Sequence, residues 1–158
     1  SEFVPQITCI YTMTDLTNIT ETLMEFGENH KMINGVHLIR DVQEIQHLTF
    51  VYRSFCIHLT GARIPRSEGD SVYELDFNLF IIDKVAEGTR EFLDSNQENL
   101  FILGQLQDYL QQDFFEYDFS MADIDLSPIS SDEYNLTGAT ATLTVRTSRD
   151  GYSNIIND

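Results

Sequence analysis

Between Glu91 and Val145 the chain has no Lys, Arg or His, although the same stretch carries eleven carboxylates. All nine basic side chains fall outside it, with Arg90 and Arg146 at its borders. Twenty-six acids against nine bases leave a formal charge of −17 on 158 residues. So one-sided a balance argues against gripping nucleic acid through clustered Lys and Arg, and against docking on anionic lipid. Three uses of acidity remain: meeting a basic partner, holding cations, or repelling something anionic. Solubility alone is the plain alternative.

Cysteine is scarce too. Cys9 and Cys56 are too few and too far apart for a metal knuckle or a redox pair. Both sit in apolar runs and read as small buried thiols in a reducing compartment. No apolar stretch is long enough to cross a bilayer, and the first ten residues lack a basic n-region. The expectation is a soluble chain made inside the cell, with no membrane role. Asn18-Ile19-Thr20 and Asn135-Leu136-Thr137 match the glycosylation sequon, but with no signal peptide ahead of them they read as chance matches.

Catalytic motifs are missing as well. His30, His37, His47 and His58 are scattered, without the HxH or HExxH spacing that aims two imidazoles at one metal. Cys56 and His58 share a strand face with no acid beside them, which suits packing better than a nucleophile and its base. Asp123 and Asp125, followed by Asp132-Glu133, lack the Gly and terminal Glu of an EF-hand, so weak adventitious cation binding is all they imply. The glycines are isolated, so no loop cradles a phosphate, and Ser127, Ser130 and Ser131 sit in no nucleophile elbow. The expectation is a protein without catalytic residues, metal or cofactor.

What the chain does have is a core. Its hydrophobic content is 42%, with eleven Phe and seven Tyr, enough for one domain of ordinary size. Leu16, Ile19, Leu23 and Phe26 step along one helical face, with Thr14 or Asp15 to cap the start and Gly27 as a stop. Asn34-Gly35 turns into residues 36–39, and residues 47–59 read as extended. Residues 50–64, a cluster of turn formers at 65–71, and residues 72–84 make a long β-hairpin. In its return strand Tyr73, Leu75, Phe77, Leu79 and Ile81 face one way, and Glu74, Asp76 and Asn78 the other. Residues 85–94 read as a polar connector. Ser95 with Glu98 has the spacing of a capping box, so a second helix is expected over residues 95–112, with Leu103, Leu106 and Leu110 inward. An acidic and aromatic stretch at 113–122 precedes a strand near 124–129 broken at Pro128. A last strand spans 137–147.

These elements compose an α+β domain over residues 13–147: an antiparallel sheet with a long β-hairpin and two helices packed on one face. Residues 1–12 and 148–158 read as N- and C-terminal arms. The second arm carries Tyr152, Ile155 and Ile156, an apolar cluster suited to docking on its own domain or on a neighbour. Arg63 and Arg66 at the hairpin tip are the only basic spot in a loop. They read either as a solvated turn or as a tip that reaches the acidic surface of another copy, and head-to-tail contacts of that kind close into rings when the rotation permits.

The string Phe55-Cys56-Ile57-His58-Leu59-Thr60-Gly61-Ala62-Arg63, then a polar loop, then Tyr73-Glu74-Leu75-Asp76-Phe77-Asn78-Leu79-Phe80-Ile81 resembles the central hairpin of phage tail-terminator proteins, the head–tail connector or neck ring family. Residues 106–117 followed by 137–147 are similar to that family's C-terminal half, so the resemblance covers about residues 15–147. The chain departs from the pattern in its extra residues at both ends and in a longer connector at 85–99.

The resemblance implies a homo-oligomeric ring in the neck or tail of a virion. Adjacent neck or tail proteins would be its partners, and DNA would pass through without specific binding. Carboxylates lining such a channel repel phosphates over about 8 Å at physiological salt. Asp108, Asp113, Glu116 and Asp118 are the acids expected to face it. The rival reading from charge alone is an acidic DNA mimic that blocks a basic nucleic-acid-binding protein.

Overall fold

The structure, a computed structural model, describes residues 15–47, 51–64, 72–85, 89–112, 117–126 and 136–148. Helix α1 spans Asp15–Asn29, strand β1 Gly35–Ile39 and the single helical turn α2 Glu44–His47. Strands β2 (Ser54–Arg63) and β3 (Val72–Lys84) form the expected hairpin. Helix α3 spans Thr89–Leu110, and β4 (Asp118–Leu126) and β5 (Leu136–Ser148) complete one sheet in the order β1-β2-β3-β5-β4. The fold is α+β, as the sequence implies. The two arms, together with Arg66, Asp113 and Glu116, lie outside the described residues.

Alternation along the strands decides which face is covered. Phe55 and Ile57 of β2, Leu75, Phe77, Leu79 and Ile81 of β3, Ala139, Ala141, Leu143 and Val145 of β5, and Phe119 and Met121 of β4 all point to one side. Both long helices cover that side, α1 with Ile19 and Leu23 and α3 with Ile102, Leu103, Leu106 and Leu110. Each large side chain buried there contributes about 1.5–3 kcal/mol of transfer free energy.

Five details depart from the sequence reading. The sheet is mixed rather than purely antiparallel, because β1 lies parallel to β2. A parallel neighbour needs a crossover of a dozen residues or so, and the chain between β1 and β2 is long enough to supply one, with α2 on the opposite face. There Ile45 of α2 packs with Ile39, Cys56 and Ile82 in a second small core. Residues 47–59 are accordingly not one extended run: α2 ends at His47 and β2 starts at Ser54.

Helix α3 begins at Thr89, not at Ser95, so part of the expected connector is helical. Ser95 and Glu98 sit inside the helix, where no backbone N–H is free for a cap, and their side chains bond other elements instead.

Strand β4 starts at Asp118, within the stretch read as an acidic and aromatic loop. A bulge between Ala122 and Asp125, with Asp123 at φ 55°, breaks the period-two pattern that would have revealed the strand.

Gly27 does not stop α1, which runs on to Asn29. A Cβ at Gly27 would lie 2.6 Å from Val36 Cγ2 and 2.8 Å from Phe55 Cδ2, so the glycine lets the helix settle on β1 and β2.

Candidate functional site

The uncovered half of the sheet's second face carries a row of alternating charge. Arg63 on β2 stands opposite Glu74 on β3, Glu74 opposite Arg146 on β5, and Arg146 opposite Asp118 on β4. Arg63 pairs with Glu74 at 2.7 Å and also with Asp76, and Arg146 Nε lies 3.4 Å from Glu74. Asp76, then Glu74, hold the Arg63 guanidinium above its ordinary pKa. Opposite charges directly across a ladder support the register. Arg63, expected to reach another copy, is thus engaged by two carboxylates of its own chain.

A second polar constellation lies at the other end of the hairpin, on the helix side. Arg53, just before β2, is buried; its Nε donates to Asn99 Oδ1 at 2.9 Å, and its Nη2 donates to Asp83 Oδ2 at 3.0 Å and Glu98 Oε2 at 2.6 Å. The Ser95 hydroxyl also donates to Asp83 Oδ2, at 2.8 Å. Its single proton being used, Ser95 accepts from Thr137 Oγ1 at 2.6 Å, and Asn99 Nδ2 donates to the same Thr137 oxygen at 3.2 Å. Polar groups of α3, β3, β5 and the residue before β2 are satisfied at one point, which fixes α3 over the ends of β3 and β5. The sequence pattern offered Ser95 and Glu98 only as a capping box and did not single out Arg53, Asp83 or Asn99. The signal was present in a lone Arg inside Tyr52-Arg53-Ser54-Phe55 and in Asp83 closing an apolar strand.

The remaining arginine pair involves Arg90 and Asp94, 3.9 Å apart and largely exposed. Arg53, Arg63, Arg90 and Arg146 therefore all face carboxylates of their own chain. These four arginines are paired within the chain, while acids such as Glu21, Glu25 and Glu28 along α1 are exposed and add to the outward negative field.

Of the four acids expected to line a channel, Asp108 and Asp118 are described, and both are exposed. They sit at one end of the fold, where Gln107 Nε2 donates to Met121 O and Gln111 Nε2 to Phe119 O, each at 3.2 Å. Asp108 projects from α3 on the helix side, whereas Asp118 belongs to the charged row on the other face. The two acids flank a common edge without sharing a face.

The histidines and Cys56 have structural surroundings. His30 Nδ1 accepts from Met32 N at 3.1 Å, so its Nε2 carries the proton and donates to Gln105 Oε1 at 2.7 Å. Desolvation lowers the pKa of His37. Burial pushes the Cys56 thiol up to about 12, which keeps it protonated and unreactive at neutral pH. Among the described residues no group of three His, Cys, Asp or Glu side chains could hold a metal ion, and no helix is long and apolar enough to cross a membrane.

Two sheet edges stay open among the described residues. On one side β1 pairs with Ser54 to His58 only, leaving the rest of β2 without a neighbour beyond it. Beside that opening, Leu16, Met24, Leu38 and Leu59 line an apolar groove of about 540 Å³ between α1 and the sheet. On the other side β4 has no outer partner, and its bulge and acids, Asp118, Asp123 and Asp125, blunt indiscriminate pairing. The chain matches no protein-family model and no curated protein.

Proposed function

We propose that the chain is a structural subunit of a ring in the neck or tail of a tailed double-stranded DNA phage, joining head to tail around an acidic channel. The observation that supports this most is the pair of unlike open edges. A neighbour joined from the β2 side of one copy to the β4 side of the next makes a heterologous contact, and such contacts close into rings. The hairpin tip with Arg63 and Arg66, and the arm residues Tyr152, Ile155 and Ile156, are the further interface elements in this reading. Acids at the α3–β4 end, Asp108 and Asp118 with Asp113 and Glu116, face the lumen and repel the phosphates of passing DNA. No cofactor takes part.

Negative-stain microscopy with light scattering on concentrated protein tests the reading. Closed rings with a central hole wide enough for duplex DNA are expected. Open filaments or a species without a lumen would sink it. Particles assembled with Lys at the four acidic positions should form normally but release DNA slowly.

A second reading is favoured by the row Glu21, Glu25 and Glu28 on α1. At 1.5 Å rise per residue these exposed carboxylates recur every ~4.5–6 Å along one helix face, a regular line of negative charge. An acidic mimic of DNA would inhibit a basic nuclease at about 0.15 M salt, and a ring subunit would not.

A further inference from the structure

The outer face of α3 is apolar where a solvent-facing helix surface is ordinarily polar. Leu93 and Phe101 are 59% and 60% exposed, and they align along the helix with Gln97 between them. Leu100 is half-buried beside them. Leu93 and Phe101 take no part in the core, which α3 fills from its other side with Ile102, Leu103 and Leu106, with Leu100 packed at the core's margin. Carboxylates outnumber bases beside the ridge: Glu91, Asp94 and Glu98 are exposed there against Arg90, which lies 3.9 Å from Asp94. Asp94 and Glu98, with Gln97, Leu100 and Phe101, line a depression of about 540 Å³, and Arg53 holds Glu98 in place at 2.6 Å.

Gly104 continues this face one turn beyond Phe101. A Cβ placed there meets nothing within 4 Å, so the chain's own packing does not require a glycine. Glycine inside a helix nevertheless costs about 1 kcal/mol relative to alanine. A position that weakens its helix and relieves no internal crowding leaves a flat spot where a second backbone comes close.

We propose that this face docks an amphipathic helix of a partner protein. The partner's apolar stripe seats on Leu93, Leu100 and Phe101, its backbone crosses near Gly104, and Lys or Arg along its flank meet Asp94 and Glu98. Charge complementarity selects that occupant. Helix α1 of a second copy does not supply it, because it presents Glu21, Glu25 and Glu28 and has no basic residue in its last turn. The ridge from Leu93 to Phe101 contains none of the residues assigned to the ring's interface or lumen, so the inference does not rest on the ring.

Fluorescence anisotropy of a labelled helix of alternating Leu and Lys faces, about five turns long, tests the proposal at about 0.15 M salt. A peptide of identical composition in scrambled order is the control for charge alone. The ordered peptide should bind at least ~10-fold tighter than the scrambled one, and L93S/F101S should erase that difference. Gly104→Leu should raise the melting temperature, by restoring helix propensity, while weakening the ordered peptide ~10-fold. E25Q/E28Q on α1 should leave the ordered peptide's affinity near its starting value. Equal binding of the two peptides, or undiminished binding by Gly104→Leu, would overturn the proposal.

Discussion

Arg53 and Glu98 meet at 2.6 Å, joining the start of β2 to the middle of α3. The same guanidinium holds Asp83 at 3.0 Å, and the two carboxylates differ in exposure, 18% for Asp83 and 47% for Glu98. Arg53→Met would leave Asp83 with its Ser95 hydrogen bond but no counter-charge, and Asn99 Oδ1 without its donor. Removing one partner of a buried pair costs about 3–5 kcal/mol. Glu98→Gln, at the wetter end, should cost about 1 kcal/mol or less. Urea unfolding of both variants checks the ratio, and equal midpoints would refute it.

Gly27→Ala should destabilise the chain although alanine is the better helix former. The added methyl would sit 2.6 Å from Val36 Cγ2 and 2.8 Å from Phe55 Cδ2. Overpacking of this kind costs about 1–3 kcal/mol, more than the ~1 kcal/mol gained in helix propensity. Calorimetry should show a lower melting temperature, and a higher one would mean that α1 rides freely over the sheet.

Arg63→Gln separates two roles for the hairpin tip. Glu74 keeps Arg146 as a partner, so the isolated chain should melt close to the parent temperature. If the tip holds a neighbouring copy, ring formation on concentration falls in light scattering while the fold persists. Unchanged assembly would remove Arg63 from the interface.

Cys56 should resist alkylation at pH 8 in a C9S background and react at once in denaturant. With its folded pKa raised from 9.0 to about 12, the native state keeps the thiol proton longer than the unfolded state does. Stability from this group is therefore present below pH 9 and is lost as pH rises from 9 toward 12. Cys56→Ser should flatten that alkaline decline in chemical-denaturation curves, and an unchanged slope would assign it elsewhere.

The hairpin was legible because Leu75, Phe77, Leu79 and Ile81 alternate with polar residues over the whole of β3. Helix α1 was legible from Ile19 and Leu23. Strand β4 was hidden because its bulge at Ala122–Asp125 shifts the alternation midway. The start of α3 was hidden because Ser95 and Glu98 have capping spacing but are committed to Asp83 and Arg53. A local pattern does not reveal that a side chain's true partner lies far away in sequence. Charge was legible in total but not in placement: the sequence shows an acidic stretch, while only the fold puts Asp108 and Asp118 on opposite sides of a shared edge.

The intercalation of β5 between β3 and β4 bears on synthesis as well as on shape. All of β3, from Val72 to Lys84, pairs along one flank with a strand that begins at Leu136. At a ribosomal pace of ~5–20 residues per second, that flank waits roughly 3–10 s after β3 emerges. During the wait the nascent chain has an open edge backed by Phe77, Leu79 and Ile81. Glu74 and Asp76 charge one side of it, the kind of guard that keeps an unfinished sheet from pairing with another growing chain.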